Sequence, residues 1–103
     1  DHALRRRFAF LELQPNFEVL SNYHQETGFP VDGLIKTLMK VNKQIGDKHY
    51  AVGISFFLRA NLADDIEDIW RMEIEPYLEE YFFDQREQLE DFRWDNVKEQ
   101  IIQ

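Results

Sequence analysis

The sequence has 103 residues, of which 44% are hydrophobic and 15% aromatic, so it has room for one domain with a modest core, and this composition argues against intrinsic disorder. Twelve basic residues against twenty acidic ones give a net charge of -8, which disfavours direct binding to nucleic acid because phosphate recognition needs a positive surface. The chain has no cysteine, which excludes disulfides and thiol chemistry and is compatible with the cytoplasmic location that we expect.

No apolar stretch approaches the roughly 20 residues that a membrane-spanning helix needs, so we expect no membrane partner. The sequence starts at Asp1 without an initiator Met and without the apolar core of a signal peptide. We therefore expect the chain to be part of a longer protein.

A helix end and a strand are predicted first. Residues 3–6 are typical of the last turn of a helix, and the apolar alternation of residues 8–13 predicts a short strand that ends at Pro15. Three consecutive arginines, Arg5, Arg6 and Arg7, run from this helix end to the start of the strand. They could interact with the helix dipole, form salt bridges with acidic neighbours, or reach a phosphate on another molecule.

Two helices with clear ends follow. Asn16 is a good N-cap for the first helix, which Gly28 ends. Pro30 and Asp32 open the second helix, and Gly46 closes it. Its predicted core-facing residues, at spacings of three and four, are Leu34, Ile35, Leu38, Met39, Asn42 and Ile45.

Residues 48–58 favour extended structure. A short strand or an ordered loop are both compatible with this composition, and Ser55 could begin a helical turn. Gly53 lies where a bend or a close backbone approach would need a glycine.

Residues 61–82 form a strongly amphipathic segment. Asn61 is its predicted N-cap, with Asp64 in a capping-box-like position. Pro76 either kinks one helix or begins a second. The apolar stripe consists of Leu62, Ile66, Ile69, Trp70, Ile74, Tyr77, Leu78, Tyr81 and Phe82. A last helical pattern covers residues 85–102, with Leu89, Phe92, Val97 and Ile101 as its apolar positions.

These elements predict a mostly α fold, a small helical bundle of four to six helices with one or two short extended segments. No internal repeat, low-complexity run or flexible linker divides the chain.

The residues by themselves indicate no catalytic or metal site. The carboxylates of residues 64–80 decorate the polar face of amphipathic helices. His2, His24 and His49 lack the spacing of metal ligands, and we expect His24 and His49 to be half-buried structural residues. The four glycines are scattered singly, so the sequence has no glycine-rich phosphate loop.

Three segments resemble the McrB-type, dynein-related branch of AAA+ proteins. Residues 1–10 are similar to its D-x-A-L-R-R-R-F-x-F segment, and residues 52–57 to its I-G-H-S-Y-F, although Ile54 stands where the family often has His. Residues 69–82 resemble I-W-x-x-E-I-x-P-L-L-E-E-Y-F. The three segments occur in the family's order.

The resemblance implies a helical lid in residues 14–103 and the tail of the AAA+ α/β core in residues 1–13. It implies that one or two of the arginines act as a finger on a nucleotide held by a neighbouring subunit. Arg7, before the strand-opening Phe8, matches the finger position of related branches, with Arg6 as a close rival and Arg5 as a third candidate. Gly53 and Ser55 would lie near the nucleotide.

The resemblance further implies a parent motor that hydrolyses GTP or ATP with Mg²⁺, whereas this stretch is not itself an enzyme because the Walker A and B segments would precede it. The lid would couple hydrolysis to subunit motion. Implied partners are neighbouring AAA+ subunits in a ring, an endonuclease subunit of a DNA restriction system, and DNA through other domains.

Two further expectations concern interactions. The chain could instead be a free-standing helical interaction module with an aromatic face formed by Trp70, Tyr77, Tyr81 and Phe82. If residues 8–13 are a strand removed from its sheet, its open edge should pair with another chain and give a dimer.

Overall fold

The computed structural model describes residues 16–102, and these form six α-helices. The helices are α1 (Phe17–Thr27), α2 (Asp32–Ile45), α3 (Leu62–Ile69), α4 (Glu75–Tyr81), α5 (Arg86–Glu90) and α6 (Trp94–Ile102). Two 3₁₀ turns, Lys48–Tyr50 and Ser55–Phe57, lie between α2 and α3, and a π turn, Trp70–Ile74, joins α3 to α4. The mostly α fold is confirmed, and the strand predicted for residues 8–13 lies outside the described residues.

The ends of α1 and α2 follow the predicted signals. The Asn16 side chain accepts a hydrogen bond from the Val19 N–H at 3.3 Å. Gly28 and Gly46 adopt left-handed φ angles of 79° and 74°, where a side chain would be strained. Each donates its N–H to the carbonyl four residues back, so both helices end as predicted.

The buried face of α2 is rotated from the predicted one. Its buried apolar residues are Leu34, Leu38, Val41 and Ile45. Met39 is 55% exposed, and Asn42 is half-buried beside the loop that follows the helix. The prediction that Met39 faces the core was wrong because the row ending in Val41 and Ile45 faces the other helices, with α6 as the main partner.

The connection between α2 and α3 agrees with one prediction and departs from another. Of the two alternatives predicted for residues 48–58, the ordered loop is the one that forms, with two 3₁₀ turns, the second beginning at Ser55. The capping box predicted at Asn61 was wrong. Asn61 does precede α3, but its side chain forms no capping hydrogen bond. Its backbone carbonyl instead accepts from the N–H groups of Asp64 and Asp65, so the predicted capping box is absent here.

The π turn lets α3 and α4 share one buried face. Glu75 donates its N–H to the carbonyl of Trp70, five residues back, and Pro76 follows in the first turn of α4, where a missing N–H is tolerated. The buried side chains Trp70, Ile74 and Leu78 recur in steps of four, and each step overshoots an α-helical turn by about 40°. The wider turn reduces this drift, so the row stays against the core.

The segment predicted as one helix over residues 85–102 is divided into α5 and α6 by a turn. The Trp70 indole N–H donates to the Phe92 carbonyl at 2.7 Å, and the Glu75 carboxylate accepts from the Trp94 N–H at 2.7 Å. These bonds take the place of helical ones at residues 92 and 94. The break between the helices is therefore fixed by side chains of the π turn and α4.

Arg93 completes this junction by joining three carboxylates. Its guanidinium lies 3.2 Å from Glu75, 2.7 Å from Glu79 and 3.1 Å from Glu90. The hydrogen bond with Glu79, opposed in part by desolvation, raises the pKa of Arg93 further above its ordinary value. The cluster links α4, α5 and the start of α6.

The core extends through all six helices. Its fully buried apolar residues are Leu20, Leu34, Leu38, Val41, Val52, Phe57, Leu62, Trp70, Ile74, Leu78 and Ile101. Within residues 16–102, the structure has no helix whose length and apolar character would let it cross a bilayer.

Replacing Arg93 with Ala should lower the free energy of unfolding by about 1–3 kcal/mol, because charge-assisted bonds are lost and a mostly buried carboxylate loses its counter-charge. The Glu75 side chain is only 12% exposed. Urea denaturation of the chain measures the loss. The control is Arg71→Ala, which removes ion pairs with exposed carboxylates and should cost much less. Equal losses in the two variants would contradict the role of the Arg93 cluster.

Candidate functional site: the loop between α2 and α3

The predicted lid residues Gly53 and Ser55 lie in the connection of residues 46–58, here called the 46–58 loop. Gly53 is buried and Ser55 is exposed at the start of the second 3₁₀ turn. The arginine-finger candidates Arg5, Arg6 and Arg7 lie outside the described residues, so the structure does not bring the two groups together. The part of the candidate site that lies within residues 16–102 is therefore the loop and the side chains that hold it.

The Asn42 side chain holds the middle of the loop. Its Oδ1 accepts from the Val52 N–H at 2.7 Å, and its Nδ2 donates to the Val52 carbonyl at 3.1 Å. Val52 is fully buried, and a buried backbone group without a partner costs free energy. The amide thus supplies both bonds that a neighbouring strand would have supplied. It is placed by α2, one turn before that helix ends.

Two tyrosines of α4 hold the first part of the loop. The Tyr81 hydroxyl donates to the Ile45 carbonyl, and the Tyr77 hydroxyl donates to the Tyr50 carbonyl, both at 2.8 Å. The rings of Tyr50 and Tyr81 lie 5.8 Å apart between centroids. Helix α4 therefore fixes the end of α2 and the first 3₁₀ turn at the same time.

His24 of α1 holds the last part of the loop. Its Nε2 lies 2.6 Å from the Phe57 carbonyl and its Nδ1 lies 2.7 Å from the Thr27 hydroxyl. A carbonyl can only accept, so Nε2 carries a proton. His24 is only 2% exposed, so it is more deeply buried than predicted, whereas His49 is exposed. The 46–58 loop is thus tied to α1, α2 and α4.

The outer edge of the loop carries the groups that can meet a ligand. Lys48, His49 and Ser55 are exposed, and the Asp47 carboxylate accepts from the His49 N–H at 2.9 Å. A cation, an imidazole and a hydroxyl can contact an anion that another segment holds. In the part of the chain that the structure describes, no three His, Cys, Asp or Glu side chains are grouped to bind a metal.

The residues that hold this loop could have been found from one feature of the sequence. Asn42 and His24 are polar residues within otherwise apolar helix faces, and buried polar groups need hydrogen-bond partners. Which backbone group each one binds depends on tertiary packing. Their partners are 10 and 33 residues away along the chain, and helical spacing carries no information at that range.

The aromatic residues of the alternative interaction face lie mainly in the core. Trp70 is fully buried and Phe82 is 2% exposed. Tyr77 and Tyr81 are half-buried, with hydroxyls bound to loop carbonyls. These side chains are used to build the domain and to hold its loop, so they do not form an open face for a partner.

Comparisons with known proteins agree with this architecture. The family model described as McrB, alpha-helical lid domain, matches residues 33–90, a stretch that includes the 46–58 loop and the π turn. The chain is 33% identical over 102 residues to the Type IV methyl-directed restriction enzyme EcoKMcrB subunit of Escherichia coli (strain K12). That match covers 82% of this chain and 22% of the length of the relative. No solved structure is significantly similar to the chain. The matched family model and the curated relative together show that the chain belongs to the McrB alpha-helical lid domain family.

Proposed function

We propose that this chain is the lid of an McrB-like AAA+ motor subunit that hydrolyses GTP or ATP in a DNA restriction system. Residues 14–103 would form the lid and residues 1–13 the tail of the α/β core. The lid would couple hydrolysis to subunit motion, and the hydrolytic residues would lie elsewhere in the parent protein. Family membership and the identity with a restriction-enzyme subunit support this proposal.

The observation that carries the coupling role is the attachment of the 46–58 loop to three helices. Side chains at positions 24, 42, 77 and 81 bind backbone groups of the loop or of the α2 end that leads into it. A loop bound in this way moves with the helical body. Contact between its outer edge and a nucleotide would therefore displace the whole lid, as in hinge-type domain closure.

The arginine cluster supplies the chemical part of the proposal. Arg7 or Arg6, with Arg5 as a third candidate, would act in trans on a nucleotide held by the neighbouring subunit. A guanidinium placed there neutralises charge that develops on the transferred phosphoryl group.

The nucleotide and Mg²⁺ would be held mainly by other segments of the parent, because this sequence has no glycine-rich phosphate loop. When bound, they would provide the phosphoryl-transfer chemistry. Lys48 and Ser55, both exposed on the loop, fit a contact with phosphate or ribose oxygens, whereas Gly53, also proposed to lie near the nucleotide, is buried in the free lid.

The proposed partners are neighbouring AAA+ subunits in a ring, an endonuclease subunit, and DNA bound through other domains, with a cytoplasmic location and no membrane. The acidic balance of the chain, with a net charge of -8, supports a separate DNA-binding domain because an acidic surface repels phosphates.

In the full-length protein, Arg7→Ala or Arg6→Ala should lower nucleotide turnover by about 10³–10⁵-fold while nucleotide affinity stays nearly unchanged, because the finger acts mainly in the transition state. Steady-state turnover and binding of a fluorescent nucleotide measure the two effects. Arg86→Ala, which removes an exposed arginine of α5, is the control and should retain turnover. Full turnover in both finger variants would refute the assignment.

Asn42→Ala should loosen the 46–58 loop, because it leaves both backbone groups of the buried Val52 without their partner. Amide hydrogen exchange in the chain should quicken in residues 46–58 and stay slow in α6. Turnover of the full-length protein should fall. Asn22→Ala removes an exposed amide and should change neither measurement. Faster exchange without loss of turnover would show that coupling does not depend on a firmly held loop, and would contradict this role.

The chain by itself should form a dimer through pairing of residues 8–13, as an open strand edge does. Phe10→Pro removes a backbone donor and should give monomers, as measured by light scattering across a concentration series. Phe83→Ser, which removes an aromatic side chain that is 72% exposed, should leave the dimer intact. Dissociation by Phe83→Ser alone would show that an apolar surface contact makes the dimer.

A further inference from the structure

Helix α2 is a basic element in an acidic chain. It carries three lysines against one acidic residue, Asp32 in its first turn, whereas the whole chain has a net charge of -8. Lys36, Lys40 and Lys43 recur at steps of four and three, so they share one face of the helix, and all three are exposed. Three exposed cations are therefore concentrated along one face of α2.

A groove lies beside this face, between α2 and α6. It has a volume of ≈ 580 Å³ and is lined by Lys40 and Lys43 of α2, by Asp91, and by the apolar side chains of Phe92 and Val97. Its walls are held together, because the buried Thr37 hydroxyl of α2 lies 3.0 Å from Oε1 of Gln100 on α6. The groove is thus preformed, with cations on one wall and apolar surface within reach.

The two lysines of the groove have no carboxylate partner in the part of the chain that the structure describes. Arg59, Arg71 and Arg93 all form ion pairs there, whereas neither Lys40 nor Lys43 forms one. Within residues 16–102, two neighbouring cations at this groove therefore form no ion pair and can meet a partner.

We propose that this groove binds a short acidic peptide segment of another protein. Carboxylates of the segment would pair with Lys40 and Lys43, and an intervening aliphatic side chain would contact Phe92 and Val97. The acidic remainder of the domain would repel such a segment elsewhere, so charge complementarity selects both the site and the orientation.

A short segment fits this groove better than nucleic acid does. A duplex carries one charge per roughly 1.7 Å of its axis and would extend beyond α2 onto acidic helices. Asp91 on the lining would repel a phosphate and a ligand carboxylate alike, but a peptide also has backbone N–H groups from which Asp91 can accept a hydrogen bond. The proposal is independent of the motor function, because the chain alone carries the groove.

The test uses the full 103-residue chain and a fluorescein-labelled peptide of alternating glutamate and leucine. Fluorescence anisotropy should show binding that weakens with salt, and a glutamine–leucine peptide should bind far less. In ¹⁵N spectra the shifted amide signals should belong to residues around the groove. The double variant Lys40→Glu, Lys43→Glu should weaken binding at least about tenfold, which corresponds to 1.4 kcal/mol.

The matched control is the double variant Arg86→Glu, Lys98→Glu. It makes the same change in net charge at two exposed positions outside the groove, and it should bind the acidic peptide nearly as the unmodified chain does. Circular dichroism checks that both double variants stay folded. An equal loss in both would mean that only overall charge matters and would overturn the proposal.

Three other outcomes would also overturn it. Tighter binding of a duplex oligonucleotide than of the peptide, with the same dependence on Lys40 and Lys43, would assign the groove to nucleic acid. Self-association that Lys40→Glu, Lys43→Glu abolishes would assign it to a second copy of this chain. Failure of the acidic peptide to bind at low salt would leave the groove without the proposed ligand.

Discussion

The constraint on which this small domain depends is the need of buried irregular backbone for hydrogen-bond partners. In a helix the backbone N–H and C=O groups bond to one another. The 46–58 loop and the turn between α5 and α6 lie against the core without such regular backbone hydrogen bonds. Side chains from other segments of the sequence supply the hydrogen bonds. Asn42 binds the N–H and the carbonyl of Val52, and Trp70 and Glu75 bind backbone groups of the turn at residues 92–94.

This solution explains why several polar residues occupy helix faces that are otherwise apolar. His24, Asn42 and Glu75 each cost desolvation free energy at their positions, and each recovers it by binding a backbone group. In return the irregular segments gain hydrogen bonds for backbone groups that lie against the core. For the coupling role that we propose, this anchoring matters because a soft loop would absorb a displacement without passing it on.

The helical content, the ends of α1 and α2, and the apolar stripe of α3 and α4 could be predicted because they depend on local spacing and on caps such as Gly28 and Gly46. The break inside residues 85–102 could not, because it is set by Trp70 and Arg93 contacts between distant segments. For the candidate site, the position of Gly53 and Ser55 on one loop was predictable from motif similarity. The role of His24 in fixing that loop depends on a bond across 33 residues.

The π turn has a consequence for how the length of this segment can vary. A π turn amounts to one residue inserted into an α-helix, so deletion of one residue between Trp70 and Ile74 would leave a regular helix with α4 in nearly its present orientation. If no residue were removed and the same residues wound as a regular α-helix, α4 would turn by about 100° relative to α3. Tyr77 and Tyr81 would then point away from the carbonyls that they bind. At the present length, a helix with better local geometry would thus release the loop, so the π turn preserves the orientation of α4.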